Sequence, residues 1–134
     1  MDLKEMLLRH EGEKLKVYCD TKGILTIGVG RNLEHVGITH DEAMYLLDND
    51  IKRILNDCWH HLPWFGDLTE ERQYVVIDMI FNVGLAGFLK FVKFIAAVEK
   101  EDWQEAARQI INSQIAPNRA LDLAWMMRGQ PQHA

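Results

Sequence analysis

The first residues that could do chemistry are two carboxylates and a hydroxyl near the start of the sequence. Glu11 ends a predicted helix, Asp20 opens a predicted turn, and Thr26 follows on a predicted strand. A carboxylic acid that donates a proton and a carboxylate that activates water suit acid–base work on a glycosidic bond. Each residue alone also has an ordinary structural explanation, because glutamate can end a helix, aspartate favours turns and threonine favours strands.

The helix that carries Glu11 is predicted from signals at both of its ends. Asp2-Leu3-Lys4-Glu5 fits a capping box, and Gly12 is the residue type that most often stops a helix. Glu11 then lies in the last turn, where an ionised carboxylate faces the negative end of the helix dipole. Because local rules tend to be broken at functional sites, this unfavourable placement is an indication of function.

A β-hairpin is predicted to position the other two residues. Residues 15–19 alternate as a strand does, and residues 24–27 return with β-branched side chains. If Cys19 pairs with Ile24, then Val17 lies opposite Thr26. The glycines at 28 and 30 predict a bend at which a ligand or another backbone segment comes close.

The remainder of the sequence predicts helices. Capping residues at Thr39, Thr69 and Asp102 each start one, and Pro117 suits the first turn of a last helix that ends near Gly129. The helix after Thr39 has about 20 residues at 1.5 Å each, enough to connect two lobes. The predicted fold class is therefore α+β, mainly α.

Two further helices are predicted between residues 69 and 100. The first is apolar nearly all round, ends at Gly84, and carries Asp78 and Asn82 as polar exceptions. Asn82 could donate to a ligand in a cleft or merely cap neighbouring backbone. The second is predicted over residues 88–100, where aromatic and aliphatic residues recur at helical spacing.

Length and charge limit the classes of function. The 134 residues suit one domain, predicted over residues 1–134. The net charge of -5 argues against a nucleic-acid partner, because phosphate binding needs a basic surface. No apolar stretch approaches a membrane span, and the first residues lack a signal peptide, so we expect synthesis in a cytoplasm and no membrane insertion.

The two cysteines are expected to be free thiols. A metal site could be considered at Cys58-Trp59-His60-His61, because cysteine and histidine are metal ligands. The segment lacks the second ligand pair of a structural zinc site, so a helix end is the preferred interpretation. Cys19 lies beside Asp20, so its oxidation could regulate the turn. A buried, inert thiol is the expectation for Cys19.

With these residues in place, the chain resembles the phage-type lysozymes of glycoside hydrolase family 24. The family signature is Glu, eight residues, Asp, five residues and Thr, and Glu11, Asp20 and Thr26 match both intervals. The resemblance continues over nearly the whole chain, through Asp78-Met79-Ile80-Phe81-Asn82-Val83-Gly84, Gly87-Phe88, Trp103-Gln104-Glu105-Ala106-Ala107 and Asn118-Arg119-Ala120.

The resemblance implies a two-lobed lysozyme fold with a saccharide cleft between the lobes. Residues from about 1 to 38 and the start of the long helix are expected to form a small catalytic lobe, and residues from about 60 to 134 a helical lobe. About ten residues separate Gly28 from Thr39, fewer than in the longest relatives, so the small lobe is expected to be reduced.

The resemblance also implies roles for single residues. Glu11 is the general acid, while Asp20 and Thr26 position and activate the attacking water. The expected substrate-binding residues are Arg31, Asn82, Phe88 and Arg119, and Arg119 corresponds to an arginine that approaches the catalytic glutamate from the other lobe.

The implied function is bacteriolytic hydrolysis of peptidoglycan at the β-1,4 bond between N-acetylmuramic acid and N-acetylglucosamine. Bacterial peptidoglycan is the expected partner of a monomer, with no metal or cofactor. The enzyme is expected to be made in the host bacterial cytoplasm and to reach the wall after a separate protein permeabilises the membrane. The alternatives are a lytic transglycosylase with 1,6-anhydro products and a wall-binding domain without chemistry; the intact triad favours hydrolysis.

Overall fold

The protein folds as six helices and a small three-stranded antiparallel sheet, in a computed structural model that describes residues 2–130. The predicted fold class, α+β and mainly α, is confirmed. The α-helices and β-strands in chain order are α1 (Leu3–Glu11), β1 (Lys14–Cys19), β2 (Leu25–Gly28), β3 (Arg31–Asn32), α2 (His40–His61), α3 (Glu70–Phe88), α4 (Val92–Glu99), α5 (Trp103–Ile111) and α6 (Pro117–Met127). A short 3-10 turn, Phe65–Asp67, precedes α3.

The chain separates into two compact units that divide between Leu47 and Asp48, inside α2. We call residues 2–47 the hairpin unit and residues 48–130 the helical unit. That the two form a single domain with the predicted lobe boundaries stays a prediction.

The hairpin unit begins with α1, whose predicted ends are confirmed. The Asp2 side chain accepts a hydrogen bond from the backbone N–H of Glu5, and the Gly12 N–H donates to the Leu8 carbonyl at 2.8 Å. Gly12 has φ of 73°, a conformation that glycine adopts at little cost. Helix α1 thus ends directly after Glu11.

The sheet has the order β1-β2-β3, and its register differs from the predicted one. Thr26 lies opposite Tyr18 rather than Val17, and Cys19 lies opposite Leu25 rather than Ile24. The reason is that Ile24 belongs to the turn, and the pairing also shifts at an irregularity between Lys14 and Tyr18. The predicted bend follows β2, where Gly28 and Gly30 have φ of 69° and 68°, and it leads into β3.

The helical unit has an apolar core, and its largest fully buried side chains are Phe65, Phe88, Met79, Ile110, Met127, Val75, Val76 and Cys58. Helix α3 was predicted to end at Gly84, and the structure has a break there, with φ of 78° and ψ of 165°, after which the helix continues to Phe88. The helix predicted over residues 88–100 is shorter, because Phe88 still belongs to α3 and α4 begins at Val92. Helix α6 begins at Pro117 and Gly129 follows its end, as predicted.

Membrane-spanning potential in residues 2–130 is confined to one bent helix pair. No single helix there has the length and apolarity of a membrane span, whereas α3 and α4 pass that test together by length and composition, with a bend of 113° between them.

Candidate active site

Glu11 lies against the glycine bend of the same unit. A Cβ atom at Gly30 would come within 3.0 Å of Glu11 Oε2 and 3.2 Å of its Cδ. A side chain at position 30 would therefore displace the carboxylate. The group that approaches the bend is the exposed Glu11 side chain, rather than the ligand or backbone segment that was predicted.

Asp20 is held by the turn that it opens. Its Oδ1 accepts hydrogen bonds from the backbone N–H groups of Lys22 at 2.8 Å and Ile24 at 2.9 Å, and its carbonyl accepts from the Gly23 N–H. Within residues 2–130 the structure gives Oδ2 no partner. One carboxylate oxygen thus fixes the orientation of the group while the other can accept a proton or a hydrogen bond.

Thr26 is buried on the central strand β2, with 3% of its surface exposed. Its Oγ1 donates to the Ile24 carbonyl at 2.8 Å, and the same carbonyl accepts from the Asp20 backbone N–H at 2.9 Å. A hydroxyl has one proton, so Thr26 Oγ1 can engage a further group as an acceptor. The Ile24 carbonyl thereby fixes Asp20 and Thr26 relative to each other.

Arg31, predicted to bind substrate, is engaged inside the hairpin unit. Its Nη1 and Nη2 donate to the two carboxylate oxygens of Glu42 at 2.8 Å each, and Nη1 also donates to the Gly37 carbonyl at 3.0 Å. This pairing raises the pKa of Arg31 and lowers the pKa of Glu42 to about 2. Substrate binding by Arg31 stays a prediction, and the structure adds a brace between β3 and the start of α2.

The pairing of Arg31 with Glu42 was not predicted from the sequence, although the helix cap at Thr39, which Glu42 also contacts, was predicted. Glu42 follows the predicted capping residue Thr39 by three positions; its carboxylate accepts from the Thr39 N–H at 2.9 Å, and its own N–H donates to Thr39 Oγ1. A carboxylate has two oxygens and several acceptor positions, so one glutamate can serve the cap and Arg31 together. We call the set of Arg31, Gly37, Thr39 and Glu42 the polar clamp.

In the helical unit, the predicted residues fall into two environments. Arg119 lies in the first turn of α6, and its Nε is 2.9 Å from Asp78 Oδ1 on α3. Asn82 lies four residues after Asp78 and is exposed.

Phe88 has no exposed surface, and its ring packs against Trp64, Phe91 and Phe94. Substrate binding by Phe88 stays a prediction, and the structure adds that its side chain packs in the core.

The two thiols also differ from each other. Cys19 is exposed, because it lies at the end of an edge strand of the sheet, and the expectation of a buried thiol was wrong. Cys58 is fully buried, and this burial raises its pKa to about 11. Among residues 2–130 no group of three His, Cys, Asp or Glu side chains could hold a metal ion.

The mainly helical fold with its small three-stranded antiparallel sheet is that of a lysozyme-like glycoside hydrolase. Residues 8–122 match the family described as Phage lysozyme. The chain therefore belongs to the phage lysozyme family.

Individual relatives agree with this membership. The chain is similar to the Probable T4-type lysozyme 1 of Dictyostelium discoideum, at 29% identity over 150 residues and 88% of each chain. It is 31% identical to the Endolysin of Salmonella phage P22 over 91 residues, which cover 61% of this chain and 60% of that protein. The Pre-baseplate central spike protein Gp5 of Enterobacteria phage T4 is 31% identical over 134 residues, covering 79% of this chain and only 23% of the spike protein.

Proposed function

We propose that the chain hydrolyses the β-1,4 bond between N-acetylmuramic acid and N-acetylglucosamine in peptidoglycan, with inversion at the anomeric carbon. The observation that supports this reaction best is the shared Ile24 carbonyl, which fixes Asp20 and Thr26 as two acceptors beside each other. Two fixed acceptors suit one water molecule, because each can accept a hydrogen bond from one of its two O–H groups. Family membership supports the substrate class.

The protons can be followed through the proposed reaction. Glu11 donates its proton to the glycosidic oxygen as the bond to the anomeric carbon breaks. The attacking water gives one proton to Asp20 Oδ2 while its other O–H donates to Thr26 Oγ1, and its oxygen bonds to the opposite face of the sugar. Glu11 ends ionised and Asp20 ends protonated, and exchange with solvent restores both.

Arg119 and Asn82 of the helical unit are proposed to bind the substrate. Arg119 and Asn82 offer donors to the carbonyl and carboxylate oxygens of the substrate, and their partly exposed and exposed side chains support this role. We propose that the chain acts as a monomer, is made in a bacterial host, and reaches the wall after a separate protein opens the membrane.

The test is mass spectrometry of the soluble products from purified peptidoglycan. We expect the wild type to release muropeptides with reducing ends and Glu11→Gln to release almost none, because glutamine cannot donate the proton. Glu13→Gln removes an exposed carboxylate two residues away and serves as the matched control, with an expected rate near that of the wild type.

Four other results would contradict parts of the proposal. Anhydro ends would indicate a lytic transglycosylase, which needs the acid but no positioned water. Binding of peptidoglycan without any product would indicate a wall-binding domain. Equal digests from the wild type and Glu11→Gln would exclude Glu11 as the acid, and nuclear magnetic resonance of the first anomer formed would reveal retention if inversion is wrong.

A further inference from the structure

The ion pair between Asp78 and Arg119 has an unusual geometry. Arg119 Nε is 2.9 Å from Asp78 Oδ1, yet Oδ1 is closed to solvent and accepts no well-directed hydrogen bond. The contact thus meets the distance of an ion pair without the direction of a hydrogen bond. Charge, rather than a directed hydrogen bond, holds the two side chains together.

Arg119 also occupies a position that its own helix disfavours. It is the third residue of α6, where the positive end of the helix dipole opposes a cation. Asp78 supplies the opposite charge from α3. An arginine kept in such a position needs a compensating partner, and Asp78 is that partner.

The ion pair leaves the binding end of the arginine available. Arg119 is engaged through Nε, and within the described chain no other hydrogen bond or ion pair involves its side chain. The two terminal nitrogens form the fork that binds carboxylate and carbonyl oxygens. Asn82 follows Asp78 by four residues, so it lies on the same face of α3, one helical turn away.

We propose that Asp78 is a positioning residue that fixes the Arg119 guanidinium beside Asn82, so that both present donors to oxygen atoms of the substrate. This inference rests on the proposed function, because Arg119 and Asn82 are its substrate-binding residues. Asp78 itself touches no reacting atom, and it acts through Arg119.

The experiment is a double-mutant cycle on KM and kcat with soluble peptidoglycan fragments. We expect Asp78→Asn to raise KM about tenfold with kcat changed less than about twofold, since binding is lost equally in the ground and transition states. In an Arg119→Gln background Asp78→Asn should change KM no further. Asp50→Asn is the matched control, because Asp50 forms a 2.8 Å ion pair with Arg53 in the same unit, and its KM should equal that of the wild type.

Two results would overturn the positioning role. One is an equal KM for Asp78→Asn and the wild type. The other is that Asp78→Asn changes KM by the same factor in the wild-type background and in the Arg119→Gln background. Asp78→Ser provides a second variant if Asp78→Asn does not fold. Calorimetric Kd values for the same fragments, measured in a Glu11→Gln background, test the cycle even if no product forms. An absence of hydrolysis by the wild type, together with an intact cycle in Kd, would contradict the proposed function and leave Asp78 as a positioning residue.

Discussion

The hairpin unit and the helical unit are stabilised in different ways. Among the described residues 2–47, Thr26 is the one buried residue, and α1 buries none of its side chains. The helical unit instead surrounds fully buried side chains such as Phe88, Met79 and Ile110. The hairpin unit therefore depends on directional polar contacts, and the helical unit depends on apolar burial.

This difference explains why the proposed acid and water-positioning groups lie in the unit that has the smaller core. Apolar packing is non-directional, whereas hydrogen bonds fix the direction in which an oxygen presents its lone pairs. Asp20 and Thr26 owe their orientation to backbone groups of one turn. A region with few buried apolar contacts also opens locally at lower free energy.

The largest effect expected from the comparison is a loss of stability in the helical unit. Phe88→Ala should lower the free energy of unfolding by about 3–5 kcal/mol, because it leaves a cavity among aromatic rings. Phe81→Ala, in the same helix but with Phe81 48% exposed, should cost less than about 1 kcal/mol. Urea unfolding followed by tryptophan fluorescence reports this unit, since all four tryptophans lie within it. Similar losses for both variants would show that the core is not organised around Phe88.

The next effect concerns activity and the contact between Glu11 and the glycine bend. Gly30→Ala should lower kcat about tenfold, because the added Cβ would come within 3.0 Å of Glu11 Oε2 and shift the acid by a few tenths of an ångström. Gly28→Ala is the matched control, since Gly28 has φ of 69° against 68° for Gly30 but no atom within 4 Å of its added Cβ. Both variants carry the same backbone strain and should lose similar thermal stability. Equal losses of kcat would assign the effect to strain and contradict the contact.

Features with local causes could be predicted from the sequence. The caps at Asp2, Thr39, Thr69 and Asp102 were found because a capping side chain bonds a backbone group three residues away. The break at Gly84 was found because glycine adopts its positive φ freely. The family spacing supplied the triad, whose roles stay predictions.

Features that depend on several competing contacts could not be predicted. The hairpin register was wrong because the Asp20 carboxylate draws Ile24 into the turn, which alternation of side chains does not reveal. Strand β3 has two residues and no pattern of its own. The bond from Arg31 to Glu42 joins residues eleven apart in different elements, and neither residue type alone indicates its partner.

The smallest effect concerns the polar clamp and its response to pH. The pKa of Glu42 lies at about 2 instead of its ordinary 4.5, chiefly through the hydrogen bond from Arg31 and next through the Thr39 N–H. A carboxyl whose pKa is lower in the folded state adds stability above its unfolded pKa. That stability is lost as the pH falls from about 4.5 towards 2. The difference in Tm between the wild type and Glu42→Gln should therefore be constant near neutral pH and shrink across this window.

The matched variant for this prediction is Glu105→Gln in the helical unit. The pKa of Glu105 is also lowered to about 2, mainly by Arg108, so the same pH window applies. Arg108 is three residues away on the same helix, whereas the clamp joins a strand to a helix across a loop. Glu42→Gln should thus lower Tm more than Glu105→Gln. Added salt should reduce this difference, because both ion pairs are partly exposed and salt screens their charges. Equal Tm changes from pH 2.5 to 7 would show that the hairpin unit does not depend on its polar clamp.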